Sequence, residues 1–242
     1  MIIENPIHTT SAHLIWQSPL GSGGSRRRLP VALMRTHQNN DNVSFEYLND
    51  TPEFDKALSE GFGGYMGIPL GREDTSDAIN TLGRRLMTPE RPDYSEYLAR
   101  FGLSVEYGLS TLSLLAYTGA KLTSDSFSVA DTFEGFDRPF QYIFDVAGRR
   151  HYSEHSTPSP QEGDAVTFRA EPENPRDPHA VALLDATENH FGYVNSCQAK
   201  AVNQWLLEGS ITGRVFRING REAYPRLFIF ADIIPKSTRQ VA

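Results

Sequence analysis

Residues 168–194 read FRAEPENPRDPHAVALLDATENHFGYV, and the fold of the C-terminal half turns on how this stretch is parsed. Glu171 to Pro178 places three prolines and an asparagine in eight residues. Each proline lacks an N–H donor and pushes the residue before it out of the helical region, which excludes a helix. Ala180-Val181-Ala182-Leu183-Leu184 is an apolar run of strand length. A polar turn, Asp185 to His190, leads to Phe191-Gly192-Tyr193-Val194. The parse is strand, stiff loop, strand, turn, short strand. A stiff loop holds polar side chains at fixed positions, which suits a binding site.

Outward from this stretch the hydrophobic period stays near two. Phe140–Val146, Asp164–Ala170, Ser210–Ile218 and Pro225–Ile234 are predicted as strands. One helix interrupts them, Cys197 to Leu207, with Ala201, Val202, Trp205 and Leu206 at helical spacing. Two roles stay open for Cys197 at the start of that helix: a structural thiol, or one activated by the helix terminus.

Toward the N-terminus the pattern changes. Residues 1–10 read as a loose arm. His13–Gln17, Leu29–Arg35 and Val43–Leu48 read as three strands of a small antiparallel meander. The turn HQNNDN lies between the second and third. Thr51-Pro52 opens a helix that ends at Gly61. Asp77–Met87 and Tyr94–Phe101 carry apolar residues at helical spacing. Leu109, Leu112, Leu115 and Ala116 form a further apolar stripe. Leu122 to Pro139 carries Ser124, Asp125, Ser126, Asp131, Gly135 and Asp137, and residues 126–138 read as a linker between a domain at 1–125 and a domain at 139–236. The predicted class is α+β: an N-terminal antiparallel sheet with helices, then a β-barrel with one or two helices.

Composition narrows the function classes. The apolar content of 39% is ordinary for a globular chain, and no apolar run approaches the 18 residues or so of a membrane span. No signal peptide is recognisable and only one cysteine is present, so cytoplasm is the default compartment. The net charge is −7. All of it falls in residues 1–137; residues 138–242 are neutral, with ten arginines against two lysines. Arginine forks suit phosphate, and a solvated arginine surface is the alternative. No residues with metal-ligand spacing are found, and no cofactor is expected. Gly61-Phe62-Gly63-Gly64 lacks the following lysine of a phosphate loop. Glu73, Asp74 and Asp77 read as a solvated helix start. Arg26-Arg27-Arg28 reads as an exposed turn or a phosphate-contacting one. No catalytic constellation emerges, and the chain is expected not to be an enzyme.

The C-terminal half resembles a HIRAN domain. The likeness rests on Gly148-Arg149-Arg150-His151-Tyr152 after a strand, on Glu171-Pro172, Asn174-Pro175, Asp177 and Ala180 in the loop, and on Gly192-Tyr193-Val194. It spans about residues 140–235 and implies an OB-like barrel that binds single-stranded DNA, in particular 3′ ends. It further implies that Arg150, His151 and Tyr152 grip the terminal nucleotides and that Asp177 meets the 3′-hydroxyl. Tyr193 and Tyr224 match further aromatic positions. Arg176 stands where the family has an aromatic, which exchanges a stacking surface for a phosphate contact. Other roles stay open: Asp177 as a loop cap, Tyr152 and Tyr193 as half-buried barrel residues, and Arg150 as a surface arginine.

The N-terminal half resembles the N-terminal subdomain of HipA-type kinases over about residues 12–122. The likeness rests on Leu14–Gln17, Arg26–Leu33, Val43–Leu48, Gly67–Leu70 and Arg84–Tyr94. It is closer still to bacterial proteins that pair the same two halves. There is no room for the kinase body. The resemblance implies a protein partner for this half. The leading expectation is therefore a DNA-end or single-stranded-DNA binder without a membrane segment. The alternative is a regulatory, antitoxin-like or defence-system subunit acting through protein contacts.

Overall fold

The computed structural model describes residues 1–19, 27–37, 40–72, 75–149, 160–221 and 224–235. The chain forms two compact units, His8–Gly135 and Met1–Ile7 with Phe136–Ala242.

In the first unit β1 (Ser11–Gln17), β2 (Arg28–His37) and β3 (Asn40–Tyr47) form the expected antiparallel meander. A two-residue hairpin follows, β4 (Gly64–Tyr65) with β5 (Ile68–Pro69). A further strand, β6 (Phe127–Asp131), pairs antiparallel with β1, giving the order β3-β2-β1-β6. The stretch 126–138 is thus not a plain linker: its first half completes the N-terminal sheet. Val129 and Ala130 are buried there, and pairing along the whole of β1 outweighs the polar flanks that gave the segment its loop-like appearance.

Among the described residues, four α-helices belong to this unit. In α1 (Pro52–Ser59), Thr51 Oγ1 accepts the Phe54 N–H at 3.2 Å, and Phe54 and Ala57 are buried. Helices α2 (Ala78–Gly83) and α3 (Tyr94–Ala99) are shorter than their apolar spacing predicts. Helix α2 ends at Gly83, and Arg85 just beyond it turns inward. Its guanidinium holds both oxygens of Asp125, at 2.6 and 2.8 Å, and donates to the Ala120 carbonyl at 2.7 Å. Helix α4 (Thr111–Thr118) is capped by Ser110 and ends on Gly119 in the left-handed region. Leu14, Trp16, Phe45, Phe54, Phe62 and Leu115 belong to one core.

The second unit holds β7 (Phe140–Asp145), β8 (Ala165–Ala170), β9 (Val181–Leu184), β10 (His190–Tyr193), α5 (Ser196–Glu208), β11 (Ser210–Arg221) and β12 (Tyr224–Ile234). The sheet order is β10-β9-β8-β11-β12-β7, antiparallel throughout. Ala147, just past β7, exchanges hydrogen bonds with Tyr193 of β10 at 2.8 and 2.9 Å. The two ends of the sheet are thereby joined, and the sheet curls into the OB-like barrel. Phe144, Leu183, Leu184, Phe191, Val215 and Ile229 fill it at 2% exposure or less. Each such burial stabilises by about 1.5–3 kcal/mol. Helix α5 packs Trp205 edge-on against Phe140 at 5.3 Å. Cys197, in its first turn, is half-buried and its N–H is capped by Asn195.

The N-terminal arm is not loose. Its Asn5 carbonyl accepts the Gln141 N–H of β7 at 3.1 Å, Gln141 Oε1 accepts the Glu4 N–H, and Ile3 and Ile7 are buried. The two isoleucines were the overlooked signal. Among the described residues no helix is long and apolar enough to cross a membrane.

Candidate nucleic-acid interface

The loop between β8 and β9 is wired from within. The Glu171 N–H donates to the Ala180 carbonyl at 2.9 Å and closes it. Pro172, Pro175 and Pro178 have no N–H to satisfy, so few donors remain. Asn174 Oδ1 accepts from the N–H groups of Arg176, at 3.0 Å, and of Asp177, at 3.4 Å. Asp177 Oδ1 accepts the His179 N–H at 2.8 Å, and its carbonyl accepts the Ala180 N–H. The capping role left open for Asp177 is therefore real. It uses one carboxylate oxygen; the other has no hydrogen-bond partner among the described residues.

Strand β10 ties into the same network. The Tyr193 hydroxyl donates to Glu171 Oε2 at 2.8 Å, and Asn174 Nδ2 donates to that oxygen at 3.0 Å. Asn174 Nδ2 also lies 3.4 Å from the Tyr193 hydroxyl. Asn174 is thus the joint between Asp177 and Tyr193. Burial opposes ionisation of Glu171, but these two donors, with His190 and Arg169 nearby, hold its carboxyl below the usual range. The His190 ring meets Tyr193 edge-on at 4.5 Å, and its Nε2 is bonded to the Gly192 carbonyl at 2.8 Å. Burial pushes the His190 imidazole down, against the Gly192 bond and the Glu171 charge.

Gly192 has a steric reason. A Cβ there would lie 2.3 Å from Val146 Cγ1 and 2.8 Å from the Ala147 carbonyl oxygen. Only glycine lets β10 approach the end of β7 closely enough for the Ala147–Tyr193 pair.

Of the residues expected to form the site, Asp177 and Tyr193 are linked through Asn174, and Arg176 stands exposed on the same loop. Tyr193 is half-buried and bonded, so it offers a ring edge held in place. Arg150, His151 and Tyr152 lie outside the described residues. Tyr224 opens β12 with its backbone paired to Arg221; its side chain is likewise outside the description. Sequence reading passed over Glu171, Asn174, Arg169 and His190, although Glu171 and Asn174 are letters of the loop motif itself. It also passed over Arg149, two residues beyond the Ala147 that pairs with Tyr193. Arg149 is 6% exposed, and burial lowers the pKa of its guanidinium.

The arginine surplus is partly spent on packing. Arg217 lies over the Phe228 ring at 4.8 Å, Arg226 over the same ring at 5.2 Å, and Arg214 over Phe230 at 6.0 Å. Arg226 and Arg214 also pair with Asp145 and Asp232. Among the described residues no group of His, Cys, Asp or Glu is arranged to hold a metal ion.

Residues 140–230 match the family model of the HIRAN domain. The crystal structure of the HIRAN domain of human HLTF is similar to this chain at 20% identity, over 40% of this chain and 76% of that one, with a TM-score of 0.34. No curated protein matches the chain. Over residues 140–230 the chain is thus similar to HIRAN domains.

Proposed function

We propose that the chain binds single-stranded DNA at a free 3′ end, through the barrel mouth formed by the 171–180 loop, β10 and the segment after β7. The HIRAN match over residues 140–230 carries this reading. The wiring of the loop supports it: Asn174 bonds to both Asp177 and Tyr193, and Asp177 keeps one carboxylate oxygen for a ligand. A 3′-hydroxyl donates to a carboxylate; a phosphate in its place would be repelled. Arg169 and Arg176, both exposed, supply positive charge along the same segments, and arginine both stacks on bases and pairs with phosphate. Arg150, His151, Tyr152 and Tyr224 keep the contacts that the family resemblance assigns them.

In this reading the chain is a cytoplasmic binder and no enzyme. Its N-terminal half, HipA-like in pattern, holds a protein partner. A second reading, a regulatory, antitoxin-like or defence-system subunit acting by protein contacts alone, is favoured by the −7 charge confined to residues 1–137. Fluorescence anisotropy of labelled single-stranded oligonucleotides across a salt series separates the two. Binding that weakens as salt rises is expected of the first reading, since phosphate contacts release counterions. Absence of binding at low salt, with a protein partner recovered, selects the second.

A further inference from the structure

The N-terminal unit contains a cleft of about 670 Å³ that the barrel reading leaves without a role. It lies where the turn after α2, helix α3 and the turn after α4 meet. Its size is within the roughly 300–1,000 Å³ of small-molecule sites. Three cations, Arg85, Arg91 and Lys121, line it together with the rings of Tyr97 and Phe101, and among the described residues no carboxylate does. In a unit with an excess of acids, an acid-free lining with three cations is a local reversal of charge.

The three cations do not have the same job. Arg85 is 3% exposed and committed to Asp125, Ala120 and Phe127, so it forms the floor. Arg91 is 58% exposed and pairs with Asp93 from outside the lining. Pairs this exposed are weak and exchange readily for a better anion. Lys121 follows directly on Gly119 and Ala120, both left-handed at φ 67° and 46°. A left-handed alanine is unusual, and such strain concentrates at binding sites. Here it turns the chain so that the Ala120 carbonyl meets Arg85 and Lys121 reaches the cleft. The exposed Thr88 hydroxyl adds a neutral donor.

The other wall is apolar and flat. Tyr97 and Phe101 meet edge-on at 5.3 Å, and Leu122, 41% exposed, stands at the rim. Burial pushes the Tyr97 hydroxyl up, against Thr118 and the Met87 backbone beside it. Several donors on one side suit a phosphate, and rings on the other suit a planar heterocycle. We propose that this cleft binds a nucleoside monophosphate or a close analogue, its phosphate toward Lys121 and Arg91 and its base against Tyr97 and Phe101. The site is separate from the barrel mouth and does not depend on the DNA-end reading.

Isothermal titration calorimetry of the full chain with AMP, adenosine and inorganic phosphate tests it. AMP is expected to bind about tenfold or more tightly than either fragment. Lys121→Glu and Phe101→Leu are each expected to weaken AMP about tenfold while leaving the ligand-free melting temperature unchanged. AMP binding untouched by both variants places the nucleotide elsewhere and overturns the proposal. So does the absence of AMP binding, or equal binding of AMP and adenosine. Should a variant melt lower, the wild-type ranking of AMP over adenosine and phosphate decides on its own.

Discussion

The Tyr193 hydroxyl donates to the Glu171 carboxylate at 2.8 Å across 22 positions of sequence. Glu171 opens the proline loop and Tyr193 closes the last short strand. Their contact is what makes the loop part of the barrel wall, with Asn174 as the second donor to the same oxygen.

Asn174→Ala removes both side-chain donations and the acceptor for two backbone N–H groups. Urea unfolding is expected to show a loss of about 1–3 kcal/mol, the usual cost of stranding partly buried polar groups. DNA affinity should fall by more than this instability explains, because Asp177 is no longer held. An unchanged midpoint would show that the network contributes nothing.

Gly192→Ala puts a methyl group into Val146 and the Ala147 carbonyl. The carbonyl is backbone and cannot step aside. A loss of about 2–3 kcal/mol or more is expected from such overpacking. Amide hydrogen exchange at Ala147 and Tyr193 should rise before the rest of the barrel opens. Full protection there would contradict the assigned closure of the sheet.

Asp131 gives a pH dependence in the N-terminal unit. It is fully buried, accepts from Thr9 Oγ1 at 2.5 Å and from the Phe133 N–H at 2.6 Å, and its pKa is pushed by burial up to about 6. The folded state therefore holds this proton more tightly than the unfolded chain, whose carboxyl has a pKa of 3.8. Its contribution is complete below pH 4 and is lost as pH rises through 6. The loss is on the order of 3 kcal/mol. Asp131→Asn keeps an acceptor for Phe133 and a partner for Thr9 without the charge. Thermal melts should find it more stable than wild type at pH 7.5 and the same at pH 4. Identical curves at both would remove Asp131 from the pH account.

The barrel was largely legible in the sequence because its strands alternate or run apolar and its turns are marked by proline, glycine and asparagine. The loop motif was legible too, but only part of its meaning. Asn174 and Glu171 act on Tyr193 some twenty residues away, and no local pattern reports a hydrogen bond of that separation. The strand β6 was hidden because Phe127-Ser128-Val129 is a short alternation set between Ser- and Asp-rich flanks, and its pairing partner β1 lies more than a hundred residues away. The arm was misjudged for a similar reason: Met1–Ile7 takes its place from β7, through Gln141. The short α2 and α3 mark where tertiary contacts, those of Arg85 above all, overrode helical spacing.

The claim that matters most is that Asp177 faces a free 3′-hydroxyl. It is tested by measuring dissociation constants for one single-stranded oligonucleotide carrying either a 3′-hydroxyl or a 3′-phosphate. The 3′-phosphate form is expected to bind about tenfold or more weakly, since an added anion meets the Asp177 carboxylate. Asp177→Asn should erase that difference while leaving the salt dependence, which comes from the other phosphates, in place. Equal affinity of the wild-type chain for both ends would contradict the account.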